Sequence, residues 1–154
     1  MSVTKVKQRS LELADFDKRD VRTQFGALCW RRHKGELQIL LVTSRRSKRW
    51  ILPKGWPVDG ATPSGAAQAE ALEEAGAVGK AKTNCLGIFS YTKEISDESQ
   101  LPCVVAIFPL KVKKLEDDWP EKADRERKWF TQKKAANMVM EPELAAIIRA
   151  FEPE

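Results

Sequence analysis

The sequence has few of the residues that build disulfide frames, zinc sites or histidine-dependent active sites. Its 154 residues include three cysteines and one histidine. Cys29, Cys85 and Cys103 are odd in number and widely spaced, without a CxxC pair, which argues against a zinc site or a disulfide frame. We interpret all three as small, reduced core residues. His33 stands among basic residues in a predicted turn, so a catalytic triad is unsupported.

Long apolar runs are also missing. No run approaches the ~20 residues that span a bilayer, and the opening MSVTKVKQRS lacks the apolar core of a signal peptide. The hydrophobic fraction of 42% and charged fraction of 32% are ordinary for a soluble protein. We therefore expect a cytoplasmic protein without a membrane partner, either monomer or homodimer. Residues 1–20 are predicted to form a polar arm, and residues 21–154 a single domain.

The most informative segment is acidic and helical in pattern. It reads EALEEAG and places Glu70, Glu73 and Glu74 at i, i+3 and i+4, on one face of a helix. Like charges at this spacing repel, and clustered hard oxygens suit Mg²⁺ or Mn²⁺. Acidic helical faces are often merely solvated, so the spacing alone does not establish a metal site.

The flanking residues strengthen the metal interpretation. Pro63-Ser64 gives a helix-start signal, and Gly76 is suited to end the helix. Leu72 and Ala75 are expected on the side opposite Glu70, where they would form a buried apolar face. The Pro/Gly-rich loop upstream would allow backbone to approach a phosphate closely. A metal beside such a loop points to cleavage of a phosphoanhydride bond.

This stretch resembles the Nudix box, whose pattern is Gly, five residues, Glu, seven residues, then Arg-Glu-apolar-x-Glu-Glu-x-Gly-apolar. The matching glycines and glutamates are Gly55, Glu70, Glu73, Glu74 and Gly76. Ala61 departs from the family's first Glu, and Ala69 from its Arg. In the family that Arg orients neighbouring glutamates and the first Glu contributes to the metal network, so these departures bear on catalytic rate more than on metal binding. The resemblance implies a Nudix-type α/β/α sandwich with a mixed β-sheet between helices.

The remaining periodic segments fit that architecture. Strands are predicted at residues 25–30, 37–43, 50–52, 81–92, 101–112 and 128–131. A polar loop is predicted at 93–100, a short helix at 133–138 and a second helix from Pro142. In this last helix, Leu144, Ile147, Ile148 and Phe151 form an i, i+3, i+4, i+7 stripe that we assign to the core.

Basic residues concentrate in two loops. One cluster lies just before Trp50 and the other before Trp129, and such clusters attract polyanions or are simply solvated. The surrounding residues 40–55 and 115–130 resemble diphosphoinositol polyphosphate phosphohydrolases, a branch that also cleaves diadenosine polyphosphates. The resemblance implies that Arg45 and either Arg127 or Lys128 bind substrate phosphates.

The predicted mechanism uses Mg²⁺, or Mn²⁺, held by Glu70, Glu73, Glu74 and the backbone carbonyl of Gly55. Such ions lower the pKa of a bound water, which attacks phosphorus. Arg45, Arg49 and Lys54 are predicted to stabilise the developing charge. Candidates for the general base are Glu73, Glu74, Glu94, Glu98, Glu121 and Glu126, of which Glu126 is preferred; its alternative role is a surface partner of Arg125.

Two other functions stay open at this point. The departures at Ala61 and Ala69 fit a module that binds nucleotides or RNA 5′ ends without turnover. The basic loops fit hydrolysis of capped or triphosphorylated RNA ends, which would make binding sensitive to salt.

Overall fold

The computed structural model describes residues 22–96 and 99–153. The predicted arm at 1–20 and the candidate base Glu98 lie outside these residues. The described chain forms, in order, β1 (Arg22–His33), β2 (Glu36–Thr43), β3 (Trp50–Ile51), β4 (Lys54–Gly55), α1 (Pro63–Ala75), β5 (Ala77–Val78), β6 (Gly87–Glu94), β7 (Gln100–Lys111), β8 (Lys114–Leu115), β9 (Arg127–Thr131), α2 (Gln132–Met138) and α3 (Pro142–Ala150).

Strand β1 is the centre of a mixed sheet. The main strand order is β3-β2-β1-β7-β6, with β9 paired to β2 and β4 paired to β1. Strand β1 runs parallel to β7 and antiparallel to β2. The pairing of β4 with β1 places Gly55 opposite Phe25, which brings the loop ahead of α1 to the middle of the sheet.

The sheet is covered by helices on both faces. Alternate residues of β1 enter different cores: Leu28 and Trp30 pack with α2 and α3, whereas Ala27 and Cys29 pack with α1. This alternation follows from the two-residue period of a strand, and it makes the centre of β1 continuously apolar. The predicted α/β/α sandwich is confirmed.

The α3 stripe also has the predicted role. Leu144 and Ile148 are fully buried, Ile147 packs partly against the same core, and Phe151 contacts it just beyond the helix end. Among the described residues, no helix is long and apolar enough to cross a membrane.

Three details differ from the sequence predictions. Strand β6 begins at Gly87 and not at residue 81, because Ala81 forms only an isolated bridge with Leu110 before the chain turns. Strands β6 and β7 both extend into the loop predicted at 93–100. Strand β6 continues to Glu94, and strand β7 begins at Gln100. Cys85 is exposed in the turn before β6, whereas the other two cysteines are buried as expected.

Candidate active site

Helix α1 has well-defined ends. The Thr62 hydroxyl accepts a hydrogen bond from the Gly65 amide at 3.1 Å, and Pro63 occupies the first turn, where its missing N–H costs nothing. Gly76 adopts a left-handed conformation with φ of 63°, and its amide donates to Leu72 O at 3.0 Å. The predicted helix start and end are confirmed, with Thr62 as the capping residue.

The face that α1 buries is only partly the predicted one, since Ala75 is buried as predicted and Leu72 is not. Leu72 is 44% exposed, so its assignment to the apolar face was wrong. Ala71 and Ala75 are fully buried and let the helix backbone lie close to the sheet. Because the helix approaches on small residues, Glu74 is carried inward with them and is only 4% exposed.

The three glutamates consequently occupy different environments. Glu74 is buried, Glu70 is half-buried and Glu73 is exposed. Burial raises the pKa of the Glu74 carboxyl to about 7, although the charges of Arg125 and Lys54 oppose the rise. Burial, together with the charge of Glu73, raises the pKa of Glu70 to about 6.

Gly55 lies directly beneath Glu70. A β-carbon at residue 55 would overlap the carboxylate carbon and oxygens of Glu70. The absence of a side chain at this position therefore lets the helix carboxylate lie against the β4 backbone. The sequence-predicted pair of Gly55 and Glu70 is brought together.

The donor chemistry of this cluster fits a hard divalent cation, while its geometry is open. Carboxylate and backbone carbonyl oxygens suit Mg²⁺, and a cation would stabilise the ionised forms of Glu70 and Glu74, whose pKa values are raised chiefly by burial. Across residues 22–96 and 99–153, however, no three acidic, histidine or cysteine side chains are gathered as a ready metal site. The exposed position of Glu73 is consistent with this open arrangement.

A cavity of about 290 Å³ lies beside the glutamate helix. Of the three glutamates only Glu74 lines it, together with the uncharged side chains of Gln24 and Tyr91. Most of the charged lining is cationic and comes from the β2–β3 loop, β4, β6 and the segment before β9: Arg45, Arg46, Arg49, Lys54, Lys93 and Arg125. A concave site with this charge is complementary to a polyanion.

Lys54 is held in the wall of this cavity. Its Nζ lies 4.7 Å from the centre of the Tyr91 ring, and the Tyr91 hydroxyl donates to Gln24 Oε1 at 2.5 Å. Desolvation lowers the pKa of Lys54, and the charge of Glu74 opposes the change. The Lys54 backbone amide also faces Glu74 Oε2, at 3.4 Å.

A second buried acid and an arginine adjoin Glu74. Arg125 Nη2 is 3.5 Å from Glu74 Oε1, and Arg125 Nε donates to Glu121 Oε1 at 2.9 Å. The same Glu121 oxygen accepts from Arg45 Nη2 at 2.5 Å. The result is a chain of alternating charges, Arg45-Glu121-Arg125-Glu74, that joins the basic loop to the helix. Sequence reasoning named Glu121 only as one of several bases and did not assign a site role to Arg125.

The predicted phosphate ligands divide into two groups. Arg45, Arg49 and Lys54 all line the cavity. Arg127 lies elsewhere: its Nη1 donates to Ala75 O at 2.9 Å, and its guanidinium stacks on Trp119 at 3.8 Å.

Lys128 and the preferred base are also outside the cavity lining. Lys128 Nζ is 5.4 Å from the Phe130 ring. Glu126 is exposed, and its backbone amide donates to Thr43 Oγ1 at 2.9 Å. Strand alternation sends Arg127 and Lys128 to opposite faces of β9, so the sequence could have shown that at most one of them enters a single cavity.

The chain belongs to the Nudix family. The NUDIX domain model matches residues 21–151, and the fold and the glutamate helix described above agree with that assignment. The family predicted from the Nudix box is therefore confirmed.

Similar proteins include named hydrolases. Nudix hydrolase 12, mitochondrial, from Arabidopsis thaliana is 34% identical over 126 residues, which cover 77% of this chain and 62% of the relative. Diphosphoinositol polyphosphate phosphohydrolase 3-alpha from Mus musculus is 31% identical over 117 residues, which cover 75% of this chain and 67% of the relative. A further plant relative, Nudix hydrolase 13, mitochondrial, is matched over 54% of its length. The chain thus spans between about half and two thirds of these relatives.

A solved structure shows the same fold. The Ap4A hydrolase of C. elegans superposes with a TM-score of 0.63 at 22% identity, covering 84% of this chain and 94% of that one. The names of the relatives agree with the predicted class of pyrophosphohydrolase.

Proposed function

We propose that this protein is a Mg²⁺-dependent Nudix pyrophosphohydrolase that cleaves a phosphoanhydride bond in a phosphate-rich small molecule. The substrate is a dinucleoside polyphosphate or a diphosphoinositol polyphosphate. The observation that carries the proposal is the cationic cavity beside Glu74, in which Arg45, Arg49 and Lys54 meet the end of the glutamate helix. The mouse relative and the C. elegans structure are named for these two substrate types.

Each group of residues has a separate task in the proposed reaction. Mg²⁺ or Mn²⁺ would be held by Glu70, Glu73, Glu74 and the backbone carbonyl of Gly55. When bound, the metal neutralises phosphate oxygens and supplies an activated water. Arg45 and Arg49 bind the outer phosphates.

The buried end of the cavity handles the reacting phosphate. Lys54 faces the charge that develops on it, in a setting where desolvation strengthens the interaction. Glu74 is the better candidate for the general base than Glu126, because Glu74 lines the cavity and Glu126 does not.

A weakly catalytic binding module is the second candidate, supported by Ala61, Ala69 and the open arrangement of acids. Its ligand would be a nucleotide or an RNA 5′ end. The monomeric or homodimeric state and the cytoplasmic location remain predictions, and two of the plant relatives carry mitochondrial names.

A hydrolysis screen tests the proposal. The protein would be incubated with dinucleoside polyphosphates, nucleoside diphosphate sugars and inositol pyrophosphates, with Mg²⁺ or with EDTA. We expect release of phosphate or nucleotide fragments from one of the first or last classes, only with metal. Binding of these compounds without turnover under every metal condition would favour the binding module instead.

A further inference from the structure

Arg125 differs from the other arginines of the cavity in how its guanidinium is used. Its Nε donates to Glu121 at 2.9 Å, its Nη1 donates to Thr43 O at 2.9 Å, and its Nη2 faces Glu74 at 3.5 Å. All three nitrogens therefore already contact the protein.

Exposure separates the same residues. The Arg125 side chain is 9% exposed, compared with 57% for Arg45 and 30% for Arg49. Arg45 and Arg49 can meet an incoming phosphate with their exposed surface, although Arg45 also pairs with Glu121 and Arg49 with Glu141. Arg125 would have to break contacts with buried acids to do so, which is costly because it would leave buried charge unpaired.

The partner of Arg125 is itself fixed to the glutamate helix. The Glu121 backbone amide donates to Glu73 O at 3.1 Å, and the Glu121 side chain is 10% exposed. Glu121 therefore keeps Arg125 in register with the last turn of α1. The neighbouring Trp119 strengthens this connection, since its Nε1 donates to Glu74 O at 3.0 Å.

Resting on the proposed function, we infer that Arg125, braced by Glu121, is a positioning residue that holds the Glu74 carboxylate in its productive orientation. The helix carries Ala69 where its family has an arginine, so it does not supply a guanidinium there itself. Here a guanidinium reaches the cluster from the segment preceding β9. Charged or hydrogen-bonding partners beside metal-ligating carboxylates orient them, and loss of such partners lowers metal affinity or activity by about 10–100-fold.

The decisive variant is Arg125→Lys, which keeps the positive charge but cannot reproduce three separate contacts. Three properties are measured: kcat and KM for the substrate found in the screen, Mn²⁺ affinity without substrate by electron paramagnetic resonance, and the thermal unfolding midpoint. We expect kcat to fall about 10-fold or more with little change in KM, and Mn²⁺ binding to weaken several-fold. Arg32→Ala, which removes an exposed arginine at the far end of β1, is the control and should change none of these.

Two further variants separate orientation from charge. Arg125→Ala removes a cation near the metal site, so electrostatics alone would tighten Mn²⁺ binding, whereas loss of orientation weakens it. Glu121→Gln keeps the Arg125 side chain but removes the charge that braces it. We therefore expect this variant to lower kcat as Arg125→Lys does. If Arg125→Ala does not fold, the Arg125→Lys and Glu121→Gln results carry the test.

Several outcomes would overturn the inference. A rise in KM at constant kcat would make Arg125 a phosphate contact, and unchanged kcat and Mn²⁺ affinity in Arg125→Lys would leave it a structural ion pair. These results differ from failure of the proposed function, in which the unmodified protein neither binds Mn²⁺ nor hydrolyses any compound and the inference fails with it.

Discussion

The carboxylate of Glu70 lies against the backbone of Gly55, with no room between them for a β-carbon. Strand pairing of Gly55 with Phe25 fixes one side of this contact, and packing of the α1 alanines on the sheet fixes the other. The first glycine of the Nudix box is therefore required by close approach, since its φ is not in the left-handed region.

Gly55→Ala is expected to displace Glu70 and to lower metal-dependent activity by at least about 10-fold, with weaker Mn²⁺ binding. Overlap should also destabilise the fold by about 1–3 kcal/mol, measured by urea unfolding. In Gly55→Ala combined with Glu70→Asp, the shorter acid makes room, so stability should partly recover while activity stays low. Full activity of Gly55→Ala would contradict the proposed position of Glu70 in the site.

Glu74→Gln should lower kcat by about 10²–10⁴-fold, because the amide cannot accept a proton and is a poor metal ligand. Steady-state hydrolysis with Mg²⁺ measures the loss, and circular dichroism checks that the variant is folded. Glu36→Gln, at an exposed residue of the β1–β2 hairpin, is the matched control and should retain full activity. A loss under about twofold in Glu74→Gln would remove Glu74 from the mechanism.

The stability of the metal-free protein should fall as the pH rises from about 4.5 to about 7, whereas the stabilisation by Mg²⁺ should grow. The pKa of Glu74 is about 7 in the folded protein and near 4.5 when unfolded, so the folded state binds more protons between these values. In EDTA, the contribution of Glu74 to the free energy of unfolding should therefore fall by roughly 1–3 kcal/mol as the pH rises through this window. Mg²⁺ competes with those protons, so its stabilising effect should grow over the same range.

Urea titrations between about pH 5 and 8, with EDTA or Mg²⁺, measure both trends. Glu74→Gln is the internal control, because it removes one titrating group and should make the EDTA curve shallower, leaving the contribution of Glu70, whose pKa is about 6. An EDTA curve in this window that is identical for Glu74→Gln and the unmodified protein would show that Glu74 has no raised pKa.

Gly76→Ala should destabilise the protein more than Gly35→Ala. Both glycines have positive φ, 63° and 78°, so both substitutions carry the left-handed strain of roughly 1 kcal/mol. A β-carbon at residue 76 would also meet Arg127 Nη1 at 2.8 Å and Trp119 at 3.0 Å, whereas residue 35 has open space around it. The loss of unfolding free energy in Gly76→Ala minus the loss in Gly35→Ala, both measured in urea, gives the contribution from packing of Arg127 and Trp119 on the helix end. Equal losses would mean that these side chains move aside freely.

Restoring the two departing box residues tests the binding alternative. If the protein is an active hydrolase, Ala61→Glu with Ala69→Arg should raise kcat by no more than about 10-fold. If the parent is inert and the double variant gains metal-dependent turnover, the binding module is the correct function. The same substrate panel and metals serve for both proteins.

The sequence predicted the order and type of most elements, because their signals are local. Apolar periodicity located the strands and the α3 stripe, and Pro63 and Gly76 located the ends of α1. Leu72 was misplaced because helix periodicity does not say which side faces the sheet when small and large residues compete. The alanines allowed closer approach and decided the orientation.

The roles of the basic residues were also only partly predictable from the sequence. Runs of basic residues near Trp50 and Trp129 were visible in the sequence, and the family resemblance suggested the same role for Arg45 and for Arg127 or Lys128. Only β9 pairing beside β2 decided otherwise, since it directs Arg127 to the end of α1 while Arg125, just before the strand, reaches Glu74.

The sequence by itself determined the family, the helix that carries three acids, and the excess of positive charge in two loops, because these depend on residue type and spacing along the chain. Tertiary structure alone decided which acid is buried, which arginines line the cavity and which one is paired with Glu74. Those properties depend on how far residues distant in sequence are removed from water and which charges they meet there, and no local pattern encodes that.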